Sequence, residues 1–351
     1  STNVTTIHKL AYQNLLDKLG ITDNNIEIIS LDQQLVLPCE ELLEYFDVDT
    51  RMIRLKSSKS SRAGFISENE YIDNWGLKWI KPEGGLYYDS FNYPLSDAEK
   101  IEDIEDYPWP EPKKIKSSSG IKKEAESLYY DSPYSLVGRF GSSIFMRAQL
   151  LRGYDNFFVD MVQNPEFAQY LLDKILKIRL KSAEMLLDEV GEYLDVVEFA
   201  DDISGQEGPL MSVDLYREIV KPKTRALIDF IRTKTNAKTM YHCCGSINQF
   251  MEDFIEMGVD IINPVQVSAS NMNTKKLKEK YGDRIVFWGG IDAQGVLPNG
   301  TVDEVKKETE KRIEDLGKNG GYVAFASHNI QADVPPENII AMFETVKKYD
   351  Y

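Results

Sequence analysis

The chain has 351 residues, with 41 Lys+Arg against 57 Asp+Glu, for a formal net charge of −16. So acidic a balance excludes a surface built to grip nucleic acid or an anionic membrane, since both need a basic face. Hydrophobic residues make up 42% of the chain, which excludes wholesale disorder, and no apolar run is long enough to span a bilayer.

The length exceeds a typical domain of about 100–200 residues but suits an α/β barrel, which runs to ~250 residues or more as one unit. The chain opens at Ser1-Thr2-Asn3, without Met and without a secretory signal. That start reads as processed or incomplete and leaves the first barrel strand undetermined. Three cysteines, Cys39, Cys243 and Cys244, are odd in number with two adjacent, so they form no disulfide framework and fit a reducing cytoplasm.

Residues 1–130 read as an irregular, aromatic-rich region. Tyr12–Leu19 and Glu40–Phe46 have the apolar spacing of short helices, and between and beyond them lie Ser57–Ser61 and the aromatic stretch Tyr71–Tyr88. Trp75, Trp79, Tyr87, Tyr88 and Phe91 fit either a lid over a flat substrate or ordinary packing. Tyr107-Pro108-Trp109-Pro110-Glu111-Pro112 is an extended connector, because each proline removes a donor and locks φ. Lys113–Ser119 reads as a solvated loop.

From residue 131 onward the rhythm changes. Tyr134–Gly138, Leu194–Ala200, Lys238–Tyr241, Asp260–Asn263, Ile285–Trp288 and Tyr322–Ala326 read as short buried strands. Helical patterns alternate with them at Phe145–Leu151 and Glu166–Leu187, Val213–Thr233, Ile247–Met257, Asn273–Tyr281, Val302–Leu316 and Pro336–Tyr349. This alternation marks βαβ units on a parallel sheet. No strand end carries G-x-G-x-x-G, so a dinucleotide-binding open sheet falls behind a single (β/α)₈ TIM-type barrel domain over 1–351.

Chemistry concentrates after the strands. In order come Arg139; Glu198, Asp201, Asp202 and Gln206; His242, Cys243 and Cys244; Asn263 and Gln266; Gly289, Gly290 and Asp292; then Ser327, His328, Asn329 and Gln331. In a parallel barrel the ends of all strands open on one face, which is where active sites form. His242 and Cys244 stand two apart, so both project to one side while Cys243 points elsewhere. Imidazole and thiolate together suit zinc, with His328 as third ligand or one of Glu198, Asp201, Asp202 and Asp292 in its stead. Equally, His242 could be a hydrogen-bonded barrel histidine between buried cysteines. Asp201 and Asp202 suit proton transfer or support of a ligand histidine, while Asp202 or Ser204 could instead cap the next turn. Gly289-Gly290 suits either close approach of a ligand or a tight turn.

Several stretches, in this order, resemble the uroporphyrinogen decarboxylase superfamily, and more closely its cobalamin-dependent methyltransferase branch. They are Ala200-Asp-Asp-Ile-Ser-Gly-Gln-Glu-Gly-Pro-Leu-Met-Ser212, Tyr241-His-Cys-Cys-Gly245, Gly258-Val-Asp-Ile-Ile-Asn-Pro-Val-Gln-Val-Ser268, Phe287-Trp-Gly-Gly-Ile-Asp292, Ser327-His-Asn-Ile-Gln331 and Pro335-Pro-Glu-Asn338. The resemblance implies a TIM barrel and a cytoplasmic enzyme of anaerobic one-carbon metabolism. It implies zinc on His242, Cys244 and a third cysteine, at whose place this chain has Ser327-His328, so that His328 would substitute. It further implies cobalamin carried on a corrinoid protein partner, a small methyl donor or acceptor (methoxy aromatic, methylamine or thiol), and a homodimer. Within that reading Glu198, Asp201 and Asp202 are the catalytic carboxylates, and Arg139, Gln206, Asn263, Gln266 and Asp292 hold the substrate. The alternative is metal-free decarboxylation. No Arg precedes Arg51, so an arginine-rich segment for a polyanionic tetrapyrrole is not visible.

Overall fold

The computed structural model describes residues 2, 4–58, 63–141 and 143–349. Ser1 and Asn3 of the opening tripeptide, and residues 59–61 of the Ser57–Ser61 stretch, lie outside them. The fold class is α/β of TIM-barrel type. Its main sheet has seven strands among the described residues: β1 (Thr50–Arg54), β2 (Ser135–Arg139), β3 (Val196–Ala200), β4 (Lys238–His242), β5 (Ile261–Asn263), β6 (Val286–Trp288) and β7 (Tyr322–Val323). Their hydrogen-bonded order is β7-β6-β5-β4-β3-β2-β1. No described helix is long and apolar enough to cross a membrane.

The chain divides into two compact units. The first comprises Ser1–Arg51, Ser204–Leu210 and Met240–Tyr351; the second comprises Met52–Ile203 and Met211–Thr239.

In the first unit, parallel pairing aligns Met240, Tyr241 and His242 with Ile261, Ile262 and Asn263. Ile261 and Ile262 align in turn with Val286 and Phe287, and Phe287 and Trp288 with Tyr322 and Val323. The strands are short because these apolar runs are short. Tyr241 alternates with His242, and its ring packs edge-on against Phe254 at 5.0 Å between centroids, which turns His242 to the opposite face. A small antiparallel sheet of Ile7–His8, Leu35–Leu37 and Glu27–Ser30 flanks the helix Lys9–Leu19. His8, the third histidine, caps that helix, its Nδ1 accepting the Leu10 amide at 3.1 Å. Ala11, Tyr12, Leu15 and Leu16 from it share a core with Ile339 and Met342 of the helix Pro336–Lys348. Each of the buried Leu, Ile and Met side chains contributes about 1.5–3 kcal/mol.

In the second unit, β2 and β3 run parallel, placing Arg139 opposite Glu198. The helix Pro165–Val190 starts at a capping Asn164 with proline in its first turn and buries Leu171, Leu172, Ile175 and Leu186. The helix expected over Val213–Thr233 is interrupted by a wider π turn at Tyr216–Val220 before resuming as Lys221–Lys234. Pro222 lacks the amide that a regular ladder would need there. The aromatic stretch read as irregular is partly built. Gly64–Ser67, Glu70–Ile72, Lys78–Ile80 and Asp89–Ser90 form an antiparallel sheet in which Tyr71 stacks on Trp79 at 6.0 Å.

After β4 the backbone turns sharply at Gly245, whose φ is +92°. A Cβ there would sit 2.5 Å from the Gly205 carbonyl oxygen, so the turn tolerates no side chain. Gly245→Ala should destabilise the protein by about 1–3 kcal/mol, read as a lowered urea midpoint with unchanged slope.

Candidate functional site

The first unit brings His242, Cys244 and His328 together, with one ligand atom from each lying within 4.8 Å of the others. Among the described residues, these three form the only histidine, cysteine and acid cluster so arranged. Cys244 Sγ is 3.3 Å from His242 Nε2. Donors held ~2.0–2.3 Å from a tetrahedral zinc stand about 3.3–3.7 Å apart, so this pair already has the spacing. The rings of His242 and His328 lie 6.0 Å apart at 62°. His242 is buried, whereas Cys244 and His328 are half-buried.

The histidine is aimed by its neighbour. Asn263 Nδ2 donates to the Trp288 carbonyl at 3.2 Å, which turns its Oδ1 to His242 Nδ1 at 2.5 Å. Nδ1 therefore donates to that oxygen, and in the neutral ring this tautomer presents the Nε2 lone pair toward Cys244. A ligand histidine needs that tautomer and that kind of support. Asn263, expected to bind substrate, thus has its Oδ1 on His242. Cys243 points away as anticipated, fully buried, with its amide donating to the Asn263 carbonyl at 2.7 Å.

His328 is pinned on both sides. Ser327 donates its amide to the Ile291 carbonyl, and its hydroxyl accepts from the Ala293 amide at 3.2 Å. Asn329 Oδ1 accepts the Thr6 amide at 2.8 Å, and Ile330 pairs in parallel with Ile7. The opening residues therefore help hold the last loop, a contact across 323 positions that no local pattern signals. At the β6 end, Gly289 has φ +87°, and a Cβ there would lie 2.8 Å from the Ala326 carbonyl oxygen. Close chain passage accounts for that glycine.

Gln206 and Gln266 brace loops against each other. Gln266 accepts the Gly245 amide at 2.7 Å and donates to Gln206 at 2.6 Å, while Gln206 donates to the Ser268 carbonyl at 2.8 Å. Ser268 also donates to Gln294, a residue sequence reading missed, at 2.5 Å. Asp292 accepts the amides of Gln294 and Gly295 at 3.0 and 3.1 Å and so shapes its own turn.

The remaining expected residues lie in the second unit and are described there alone. Glu198 is buried and pairs with Arg139 at 3.3 Å. Asp201 caps the helix Phe145–Arg152, its two oxygens accepting the amides of Ile144, Phe145 and Met146 at 2.6–2.8 Å. Burial pushes its carboxyl up to about 7, the three amides pulling the other way and Asp202 adding to the rise. Between the ordinary carboxyl value and 7 the folded protein holds a proton that the unfolded chain releases. This contribution to stability is complete below about pH 4 and is lost as pH rises through 7. Asp201→Asn should therefore flatten the fall in stability between pH 4 and 7. Asp201→Ala, which orphans the three amides, should cost about 1–3 kcal/mol by urea denaturation at one pH.

Known proteins agree with this architecture. The sequence pattern of the uroporphyrinogen decarboxylase (URO-D) family matches residues 88–349. A uroporphyrinogen decarboxylase from Chlorobium phaeobacteroides is 25% identical over 191 residues, 54% of this chain and 51% of that protein. One from Rickettsia africae is 25% identical over 291 residues, 81% of this chain and 74% of that protein. The chain thus spans about half the length of the first of these relatives. Among solved structures, a methyltransferase from Methanosarcina mazei superposes with a TM-score of 0.62 at 17% identity, covering 97% of this chain and 98% of that one. At that identity the likeness is one of fold.

Proposed function

Because the chain belongs to the uroporphyrinogen decarboxylase family, we propose that it is a methyl-transferring member. In this reading a zinc ion held by His242, Cys244 and His328 serves transfer between a small substrate and a corrinoid protein in the cytoplasm. The observation that carries it is the convergence of these three donors, with Asn263 presetting the His242 tautomer. That constellation fits zinc in donor type and in the spacing of its closest pair. Bound there, zinc would supply Lewis acidity toward the oxygen, nitrogen or sulfur that bears or receives the methyl group.

The chain's own residues do the rest. Two neutral imidazoles and one thiolate leave a zinc-loaded set with one net positive charge, which supports methoxy aromatics or methylamines as donors over a thiol acceptor. Asn263 accepts from His242 Nδ1 and so leaves Nε2 as the ring atom turned toward Cys244, and the Gln266–Gln206 pair fixes the Gly245 turn behind Cys244. Asp201 and Glu198, in the second unit, are engaged with helix amides and with Arg139. The curated relatives' name favours a second reading, metal-free decarboxylation of an aromatic or pyrrolic acid.

Elemental analysis separates the two. The purified protein should hold about one zinc per chain, and His242→Ala or Cys244→Ala should lose most of it together with methyl transfer to a reduced corrinoid protein. A metal-free protein that decarboxylates at full rate would falsify the methyltransferase reading. Asn263→Ala should weaken zinc binding about 10–100-fold in competition with a chelator, and Asn263→Asp, which keeps an acceptor oxygen, should fall nearer the parent.

A further inference from the structure

The first unit holds a cavity of about 440 Å³ that the proposed chemistry does not use. It lies between the end of β7 and two helices, Glu40–Tyr45 and Pro336–Lys348. Leu42, Phe46, Phe325, Ile339, Phe343 and Val346 supply most of its wall. Phe46 and Phe343 stack at 4.4 Å between centroids and 22° between planes, and Phe325 meets Phe343 at 6.2 Å. None of His242, Cys244 and His328 lines it. A cavity of about 300–1,000 Å³ walled by aromatic and aliphatic side chains is the kind that encloses a small organic molecule.

Two polar features say what that molecule carries. The first is backbone. β7 ends the main sheet and, among the described residues, pairs with β6 alone. The carbonyls of Val323 and Phe325 both turn toward the β6 side, accepting the Gly289 and Ile291 amides at 2.9 and 3.1 Å. Successive residues of an extended chain face opposite edges, so the N–H and C=O of Ala324, between those two, are both directed away from β6. Neither has a hydrogen-bond partner among the described residues, and Ala324 lines the cavity. The second feature is the rim, where Asp47, Asp49 and Lys347 are exposed. Lys347 takes Asp47 at 2.6 Å, which leaves the balance of the rim negative.

We propose that this cavity binds an uncharged aromatic amide, its rings against the phenylalanine wall and its carboxamide paired with the N–H and C=O of Ala324. A primary carboxamide carries a donor and an acceptor side by side, as a neighbouring strand does, and so completes the sheet edge. Apolar burial against the wall supplies the affinity, and the paired amide fixes the orientation. The negative rim selects against a carboxylate of the same shape. The site stands whether or not the zinc reading holds.

The test titrates the full chain with 2-naphthamide, N,N-dimethyl-2-naphthamide and 2-naphthoate, read by calorimetry and by the melting temperature. 2-Naphthamide should bind saturably and raise the melting temperature. The dimethyl compound, which has no N–H, and the naphthoate, which is charged, should each bind about tenfold more weakly or worse. Ala324→Pro removes the edge N–H without touching a bond to β6, and should weaken 2-naphthamide about fivefold or more. Val346→Trp, which fills the cavity, should abolish binding, and it decides the matter if the Ala324 variant does not fold. His242→Ala should bind 2-naphthamide as the parent does. The assignment is overturned if the parent does not bind 2-naphthamide saturably, if either analogue binds as tightly, or if Val346→Trp leaves binding intact. Binding lost in His242→Ala and kept in Val346→Trp would place the amide at the histidines instead.

Discussion

Parallel strand register is the constraint on which the first unit depends. Strands running the same way place their carboxyl ends along one edge, so the residues that follow each strand become neighbours whatever their separation in sequence. Pairing of β4 with β5 sets His242 beside Asn263, 21 positions later, and the hydrogen bond between their side chains follows from that register. β6 and β7 extend the same edge, and the loop after β7 brings His328 within 6.0 Å of His242 between ring centroids. Loss of register by one residue would turn His242 toward the Phe254 face and dissolve the cluster.

Around this edge, polar groups are spent on holding backbone, and that gives a half-buried thiol and two imidazoles a fixed geometry. Gln206, Gln266, Gln294 and Ser268 bind one another and the chain at Gly245, while Ser327 and Asn329 clamp the segment that carries His328. Such support is what a metal site needs, because a ligand free to rotate loses affinity to conformational entropy. The second unit follows a different rule. There the buried groups are charged: Arg147 and Arg179 lie over Trp75, Arg147 meets Asp73, Arg139 meets Glu198, and Asp201 accepts three helix amides.

Much of the fold is legible in the residues. Short apolar runs alternating with amphipathic stretches are sufficient to place six of the seven main strands, since buried parallel strands have a composition of their own. β1 escapes such reading because Thr50–Arg54 has only two apolar residues, Met52 and Ile53, set between arginines. The small sheet of Gly64–Ser90 escapes because its strands are two to four residues long and rest on aromatic stacking between them. His242, Cys244 and His328 are recognisable by type and spacing. The duties of Asn263, Gln206 and Gln266 are not, because a side-chain amide in a loop has the same appearance whether it faces a ligand or a backbone.

By itself, then, the order of residues determined the class of fold, the strand ends on which polar chemistry gathers, and the imidazole–thiolate pair two positions apart. Hydropathy period and residue type are local properties, and they carry that far. Only the tertiary structure decided which polar groups are already engaged. Asp201 is a helix cap, Asn263 a tautomer-setting partner, and Arg179 a cation lying over the Trp75 indole. Each of those states is fixed by atoms tens to hundreds of positions away, which meet only when the chain has packed.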